Sequence, residues 1–371
     1  MKQGWKYEKL GEVATIIGGS TPKTSVEEYW GGTHYWVTPA NLDGNKYQGA
    51  TPRTITDLAV QKTNLQLLPI GTVLLSSRAP IGKVAITTVP MYCNQGFKNI
   101  VCSDLLINEF VYWYLYGKVD YLISLGTGAT FKEISKKTTE QIPIPVPSIA
   151  EQQRIVVYLN AAFAQIDELK SNAERQLAEA RALFQSALKE MLEPKEGWEI
   201  MRLGEFAYMK AGNFVKASEI FSDYKEGLYP CYGGNGFRGY VKEPNQNGDY
   251  CMIGRQGALC GCINRAQGVF RTTEHAVIVK PYKEIPTSLV YYMLVRLNLN
   301  KYATGAAQPG LSVNHIAEAV IICVPPHEEQ KRIADTLDSL KSKIDRLQEI
   351  FNNVSQECDA LKQAMLRQIF E

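Results

Sequence analysis

The sequence contains no run of eighteen apolar residues, so no transmembrane helix is expected. Its first residues, MKQGWKYEKLGEV, lack the apolar stretch a secretion signal needs, and a cytoplasmic location is expected. Histidine is scarce. His34, His275, His315 and His327 share no spacing; the first and last are expected at the surface, the middle two near the core with their polar atoms satisfied. No CxxC occurs among the eight cysteines. Cys260 and Cys262 form a lone C-x-C with no histidine at zinc-finger distance, so reduced core cysteines are expected and no metal site. An excess of one charge is also missing: 40 Lys+Arg against 38 Asp+Glu leaves a net +2, which does not by itself suggest nucleic acid.

Catalytic signatures are absent as well. There is no Walker A loop, no HExxH, no GxSxG elbow, and no Asp/Asn-Pro-Pro-aromatic tetrad for methyl transfer to an amino group. One literal GxGxxG runs from Gly234 to Gly239, but YVKEP follows it. A dinucleotide site needs a helix N-terminus there, and Pro244 and its turn cannot supply one. Nothing in the sequence argues for an enzyme, and no cofactor is expected on this chain.

What is present is an ordinary globular composition, 45% hydrophobic and 21% charged, in 371 residues. That length suggests two or three domains. The charge is distributed unevenly. Residues 1–145 carry 14 basic and 11 acidic side chains, 146–195 carry 6 and 7, 196–322 carry 13 and 11, and 323–371 carry 7 and 9. This alternation of basic and acidic segments points to a repeat. VPSIAEQQRI (146–155) matches VPPHEEQKRI (324–333) at an offset of 178, and across 142–193 against 320–371 seventeen of 52 positions are identical. Thr127-Gly128-Ala129 matches Thr304-Gly305-Ala306, and WKYEKLGEVA (5–14) matches WEIMRLGEFA (198–207). The chain is a duplicated unit: a head at 1–147, a long helix at 148–195, a second head at 196–325 and a second long helix at 326–371.

Both helical segments step by four and three. The first passes through Ile155, Leu159, Ala162, Ile166, Leu169 and Ala173, weakens at Gln176/Leu177, and resumes at Ala180, Phe184, Ala187 and Met191. The second passes through Ile333, Leu337, Leu340, Ile344, Leu347, Phe351, Val354, Cys358, Leu361 and Met365. This is a coiled-coil seam. Pro147 and Pro325-Pro326 stop the chain ahead of each helix, and Pro194 and Gly197 end the first. A helix of about 40 residues is roughly 60 Å long. One such helix cannot bury its seam alone, so the two are expected to pack on each other, antiparallel if a two-fold relates the halves. The rival expectation pairs each with a helix of another protein.

The heads read as mixed α/β, each a twisted sheet or partial barrel with one prominent helix. Their strands show as β-branched runs at 71–87, 99–103, 250–263 and 275–280, and their helices at 108–125 and 287–302. Between these elements lie loops of short polar and basic residues. In the first head the candidate DNA contacts are Thr21, Lys23, Thr24, Asn41, Arg78, Lys83, Asn94, Gln95, Lys98, Thr130, Lys132 and Lys136. In the second they are Asn213, Lys216, Asn235, Arg238, Arg255, Gln256, Arg271, Thr272, Thr273, Gln308 and Asn314. These residue types hold phosphates or read base edges, and the glycines among them admit an anion to the backbone. Arg78 and Arg255, at an offset of 177, are expected on the same turn of each head. Polar loops of this kind are also common in β proteins that bind no DNA.

The order of head, IPIPVPSIAEQQRI (142–155), helix, head, VIICVPPHEEQKRI (320–333), helix resembles the specificity subunit of type I restriction–modification systems. WKYEKLGEV (5–13), LPIGTVLLSSRAPIGKVAI (68–86), TGATFKEIS (127–135) and YPCYGGNGFRGYV (229–241) are similar to its target-recognition domains. The resemblance spans the whole chain, but Phe131-Lys132-Glu133-Ile134 of the first head is replaced by Gln308-Pro309-Gly310-Leu311 in the second. It implies a non-catalytic subunit in which each head reads half of a split double-stranded DNA target. The helices would act as a ruler and dock two methyltransferase subunits, which bind S-adenosylmethionine and flip an adenine. Endonuclease/translocase subunits would complete the complex, and no membrane would be involved. A stand-alone DNA-modifying enzyme and a scaffold binding protein or glycan are the other two classes considered.

Overall fold

Both heads open and close on the same two-stranded antiparallel pair. The computed structural model describes residues 5–128, 132–257, 259–305 and 309–371. In it Lys6–Lys9 pairs with Pro143–Val146, and Glu199–Arg202 with Ile321–Val324. Pro143 and Pro145 fit this ribbon because a two-stranded pair has open edges, where a missing N–H costs no ladder bond.

The first head's main sheet is built from β1 (Ala14–Gly18), β2 (Val73–Leu75), β3 (Val84–Thr87) and β4 (Lys98–Cys102), in the order β1-β4-β2-β3, with Tyr47–Gln48 parallel to β3 at the end. The second head has β5 (Ala207–Ala211), β6 (Tyr229–Gly233), β7 (Gly236–Val241), β8 (Gln246–Gly254), β9 (Ile263–Thr272) and β10 (Ala276–Pro281), in the order β5-β10-β8-β9-β6-β7. The shared frame is first strand, last strand, central hairpin. Each order has two free ends, so the sheets are open rather than closed into barrels. Every residue of β2 and β3 is buried, which explains their unbroken apolar runs.

Helix α1 (Asn108–Tyr116) buries six consecutive residues, Phe110 to Leu115. It shares a core with β2, β3 and the start of α2 (Ile149–Met191), so it needs apolar residues on more than one face. In the second head, α3 (Thr287–Leu297) shares a core with the start of α4 (His327–Phe370).

The chain divides into two compact units, Met1–Asn172 with Asn352–Glu371, and Ala173–Phe351. Each contains one head and a part of both long helices. In the first unit, Ile155, Leu159 and Phe163 share a core with Leu366, Ile369 and Phe370. In the second, Leu188 and Leu192 share one with Ile333, Ala334 and Leu337. The start of one helix meets the end of the other in both units, so the helices pack on each other within one chain and run antiparallel.

Ile155, Leu159, Ile166, Ile333 and Leu337 are buried, and Phe184, Ile344, Leu347 and Phe351 half-buried. Two expected seam positions are corrected. Leu169 and Leu361 are 57% and 51% exposed, and their neighbours Lys170 and Lys362 face inward instead. A straight helix drifts by about 20° per heptad from a strict count. On α2 the buried line therefore moves to Phe163, Ile166 and Leu177, with half-buried Lys170 between them, which makes Ala162 flanking and removes the weak point expected at Leu177. The lysine stems cover apolar surface while each ammonium reaches an acid on the other helix. Lys170 Nζ lies 3.2 Å from Asp359, and Lys362 pairs with Asp167, its Nζ 5.2 Å from the Phe163 ring centroid.

The duplicated E-Q-x-R-I sequence is a helix-start device. Glu151–Arg154 and Glu329–Arg332 are i,i+3 ion pairs on the surface of each helix. Gln152 and Gln330 are buried, and their Nε2 atoms donate to the carbonyls of Pro147 (3.0 Å) and Pro325 (2.9 Å). Gln152 also donates to Leu105 O and accepts from Ile107 N–H. Replacing Gln152 with Leu strips partners from three backbone groups, of which Pro147 O is buried. A loss of about 2–3 kcal/mol is expected in urea denaturation, and a smaller loss for Gln330→Leu, whose Oε1 has no partner. Equal losses would show that the glutamine acts by packing alone.

A second polar joint ties the first head to its helix. Lys46 Nζ donates to Glu109 (2.8 Å) and Asn160 (2.7 Å), Asn160 Nδ2 donates to Glu109, and Trp113 Nε1 donates to Asn160. Burial raises the Glu109 carboxyl, but bonds from Lys46, Tyr47 and Asn160 outweigh it and hold the group below the usual carboxylate range. Burial and the bond to Glu109 push the Tyr47 phenol up to about 12. At the corresponding helix position of the second half, Asp338 accepts from Tyr292 Oη at 2.8 Å.

Candidate nucleic-acid interface

The turn that leaves the central strand is built by the same backbone hydrogen bonds in both heads. In the first, Ser76 N–H donates to Lys83 O (2.9 Å) and Gly82 N–H to Ser76 O (3.0 Å). Ser77 N–H then donates to Gly96 O (2.7 Å), and Ile134 N–H to Ser77 O (3.0 Å). In the second, Gly254 N–H donates to Cys262 O (2.8 Å) and Gly261 N–H to Gly254 O (2.7 Å). Arg255 N–H donates to His275 O (3.0 Å), and Leu311 N–H to Arg255 O (2.9 Å). Ser76 therefore corresponds to Gly254, Ser77 to Arg255, and Arg78 to Gln256. This corrects the pairing of Arg78 with Arg255: the two arginines occupy successive places, and successive side chains on an extended segment point to opposite sides.

The first of the two places carries Ser77, fully buried and bonded by Lys98 Nζ, and Arg255, half-buried with its Nε enclosed without a hydrogen-bond partner. The second carries Arg78, 35% exposed, and Gln256, exposed. Arg78 Nη1 lies 3.7 Å from Glu133.

The other candidates of the first head separate into two groups. Thr21 and Gln95 touch each other at the surface, and Lys23, Thr24, Lys132 and Lys136 are exposed. Asn41 instead accepts from Thr38 N–H (2.8 Å), and Asn94 from Gly96 N–H (2.9 Å). Lys83 Nζ donates to the carbonyls of Pro39 and Leu42. Lys98 is buried, its Nζ 2.9 Å from Glu133. These four help to shape the loops; Asn41, Lys83 and Asn94 are half-buried and Lys98 is buried. Thr130 lies outside the described residues.

In the second head, Asn235, Arg238 and Gln256 come together with Gly234, Gly257 and His275 around one cleft of about 420 Å³. Its floor is a close crossing of two loops: a Cβ on Gly254 would lie 2.1 Å from Gly234 O. The GxGxxG run is the tip and return strand of the β6–β7 hairpin, with no helix behind it. Asn213, Lys216 and Asn314 are exposed elsewhere on the head. Arg271 is partly buried and donates to Glu243 O at 3.2 Å. Thr272 and Thr273 are fully buried, Thr272 N–H bonding Asn245, and are corrected as DNA contacts because neither side chain reaches the surface. Gln308 lies outside the described residues.

Sequence reasoning missed two features. His275 is not a satisfied core residue: it lines the cleft, and its Nδ1 is enclosed with no partner. His315 is exposed. Lys210 and Lys280, with Asn213, Asn245 and Gln246, line a polar groove of about 300 Å³ on the sheet. Lys210 in β5 carried no signal, since any surface strand can hold one lysine. All eight cysteines are free thiols, and among the described residues no helix is long and apolar enough to cross a membrane.

The model of the type I restriction modification DNA specificity domain matches residues 2–179 and, a second time, residues 195–356. The chain belongs to that family. It is 32% identical over 366 residues to the type I restriction enzyme EcoprrI specificity subunit of Escherichia coli, covering 94% of this chain and 90% of the relative. It is 35% identical over 236 residues to the type I restriction enzyme MjaIX specificity subunit of Methanocaldococcus jannaschii, covering 58% and 55%. The fold matches a chain solved in work on complex assembly and conformational transition of the type I R-M system, with a TM-score of 0.81 at 20% identity over 99% of this chain and 98% of that one. The family's function is DNA specificity in type I restriction–modification, and here the specificity domain is present twice, once per head.

Proposed function

We propose that each head reads one half of a split double-stranded DNA target. On this reading the antiparallel helices set the number of unread base pairs between the halves and dock two methyltransferase subunits. Those subunits bind S-adenosylmethionine and flip the adenine; endonuclease/translocase subunits join them in the cytoplasm, and this chain contributes specificity without catalysis. The observation that carries the reading is one turn built twice by the same four hydrogen bonds, each time presenting a polar side chain outward. The exposed candidates, Thr21, Lys23, Thr24, Arg78, Gln95, Lys132 and Lys136 in one head and Asn213, Lys216, Asn235, Arg238, Gln256 and Asn314 in the other, form the contact set. With a net charge of only +2, the chain alone attracts DNA weakly at long range, and the methyltransferase subunits supply the remaining phosphate contacts.

The test is methylome sequencing of a host that expresses this chain with its methyltransferase partner. One bipartite methylated motif is expected, and no modification by the chain alone. A single contiguous motif would overturn the two-head reading. Modification by the isolated chain would overturn its non-catalytic role.

A further inference from the structure

The two heads present different base-reading chemistry at one and the same place. Four backbone hydrogen bonds equate Arg78 with Gln256, one step past the Ser77/Arg255 position. Their surroundings also correspond. Thr127 and Glu133 form an isolated antiparallel bridge in the first head, as Thr304 and Gly310 do in the second, so Glu133 and Gly310 occupy one position. Glu133 lies beside Arg78 without taking up its fork: the closest approach, Nη1 to Oε2 at 3.7 Å, is beyond hydrogen-bond reach. Opposite Gln256 there is no carboxylate, and the glutamine opens instead into the cleft with Asn235, Arg238 and His275.

A guanidinium fork matches the O6 and N7 acceptors of guanine, whereas a carboxamide matches the N6 donor and N7 acceptor of adenine. We propose that Arg78 and Gln256 are equivalent specificity-determining residues, Arg78 selecting guanine in one half-site and Gln256 adenine in the other. Arg255, at the Ser77 position, supports the turn and selects no base. The proposal rests on the reading of the chain as a bipartite DNA reader and deepens it.

The experiment compares methylation motifs of the complex carrying wild-type chain, Gln256→Arg, Gln256→Arg with Gly310→Glu, and Arg78→Gln. Among the described residues, a Cβ on Gly310 meets nothing closer than Arg255 O at 3.7 Å, so a side chain can start from this position. Gln256→Arg is expected to change one adenine of the second half-site to guanine, more cleanly with Gly310→Glu, and Arg78→Gln to change one guanine of the other half-site to adenine. A modifying complex whose motif is unchanged by these substitutions overturns the proposal. If a variant modifies nothing, Gln256→Ala decides by competition among single-base duplex variants. Loss of roughly 5- to 150-fold discrimination at one adenine position upholds the assignment, and unchanged discrimination everywhere overturns it. A wild-type complex that yields no bipartite motif refutes the parent reading. A bipartite motif that Gln256 and Arg78 do not influence refutes this one alone.

Discussion

Inserting seven residues into each long helix, after Asn172 and after Phe351, is expected to lengthen the preferred spacer by about three base pairs. The insertion points fall where the chain divides into its two compact units, so both head cores stay intact. Seven residues add about 10 Å of helix, and duplex DNA rises about 3.4 Å per pair. A heptad keeps the seam within about 20° of its path. A four-residue insertion adds about 6 Å, or one to two pairs, but turns the seam by roughly 40° and should be less active. Rise and twist do not scale together, since three pairs also rotate one half-site by roughly 100° about the duplex axis. Reduced activity is therefore expected along with the longer spacer. The half-site sequences themselves should not change. Methylation-motif mapping of each insertion with its partner reads both quantities. An active insertion variant with the original spacer would show that the helices do not set the distance, and altered half-sites would show that the heads are not independent readers.

Replacing Phe163 with Ala should cost about 3–5 kcal/mol, whereas Leu169→Ala should stay within about 0.5 kcal/mol. Phe163 is 5% exposed, its ring centroid 4.4 Å from Trp113 and 6.2 Å from Tyr116, with the Lys362 ammonium 5.2 Å from the same centroid. Its removal opens a cavity where the first head, α2 and α4 share one core. Leu169 is 57% exposed and has little apolar contact to lose. Thermal denaturation of the full chain, followed by near-UV circular dichroism of the aromatic cluster, should show a fall of roughly 6–20 °C for Phe163→Ala. Equal losses for the two variants would place the seam on the strict heptad path after all.

The duplication, the α/β character of the heads, the two long helices and the family resemblance are all legible in the sequence. Each is written in a repeated local pattern: the E-Q-x-R-I sequence at an offset of 178, the four-three stride, and the β-branched runs around Ser76 and Gly254. What lies between the patterns is less legible. Offset counting pairs Arg78 with Arg255, because a one-residue difference in loop length is invisible until backbone hydrogen bonds show which carbonyl each N–H reaches. Polarity likewise assigns Lys98, Thr272 and Thr273 to the surface, although a lysine can be held inside by Glu133 and a threonine by Asn245.

That two similar heads alternate with two long amphipathic helices is readable from residue order alone, since local periodicity and self-similarity need no knowledge of what packs against what. The rest depends on packing in three dimensions. That Lys170 and Lys362, and not Leu169 and Leu361, face the partner helix depends on the drift of a 3.6-residue turn against a seven-residue count and on acids standing 189 and 195 positions away. That Gln256 shares a cleft with Asn235, Arg238 and His275 depends on three loops meeting at Gly234 and Gly254, where close backbone crossing is possible because neither residue carries a side chain.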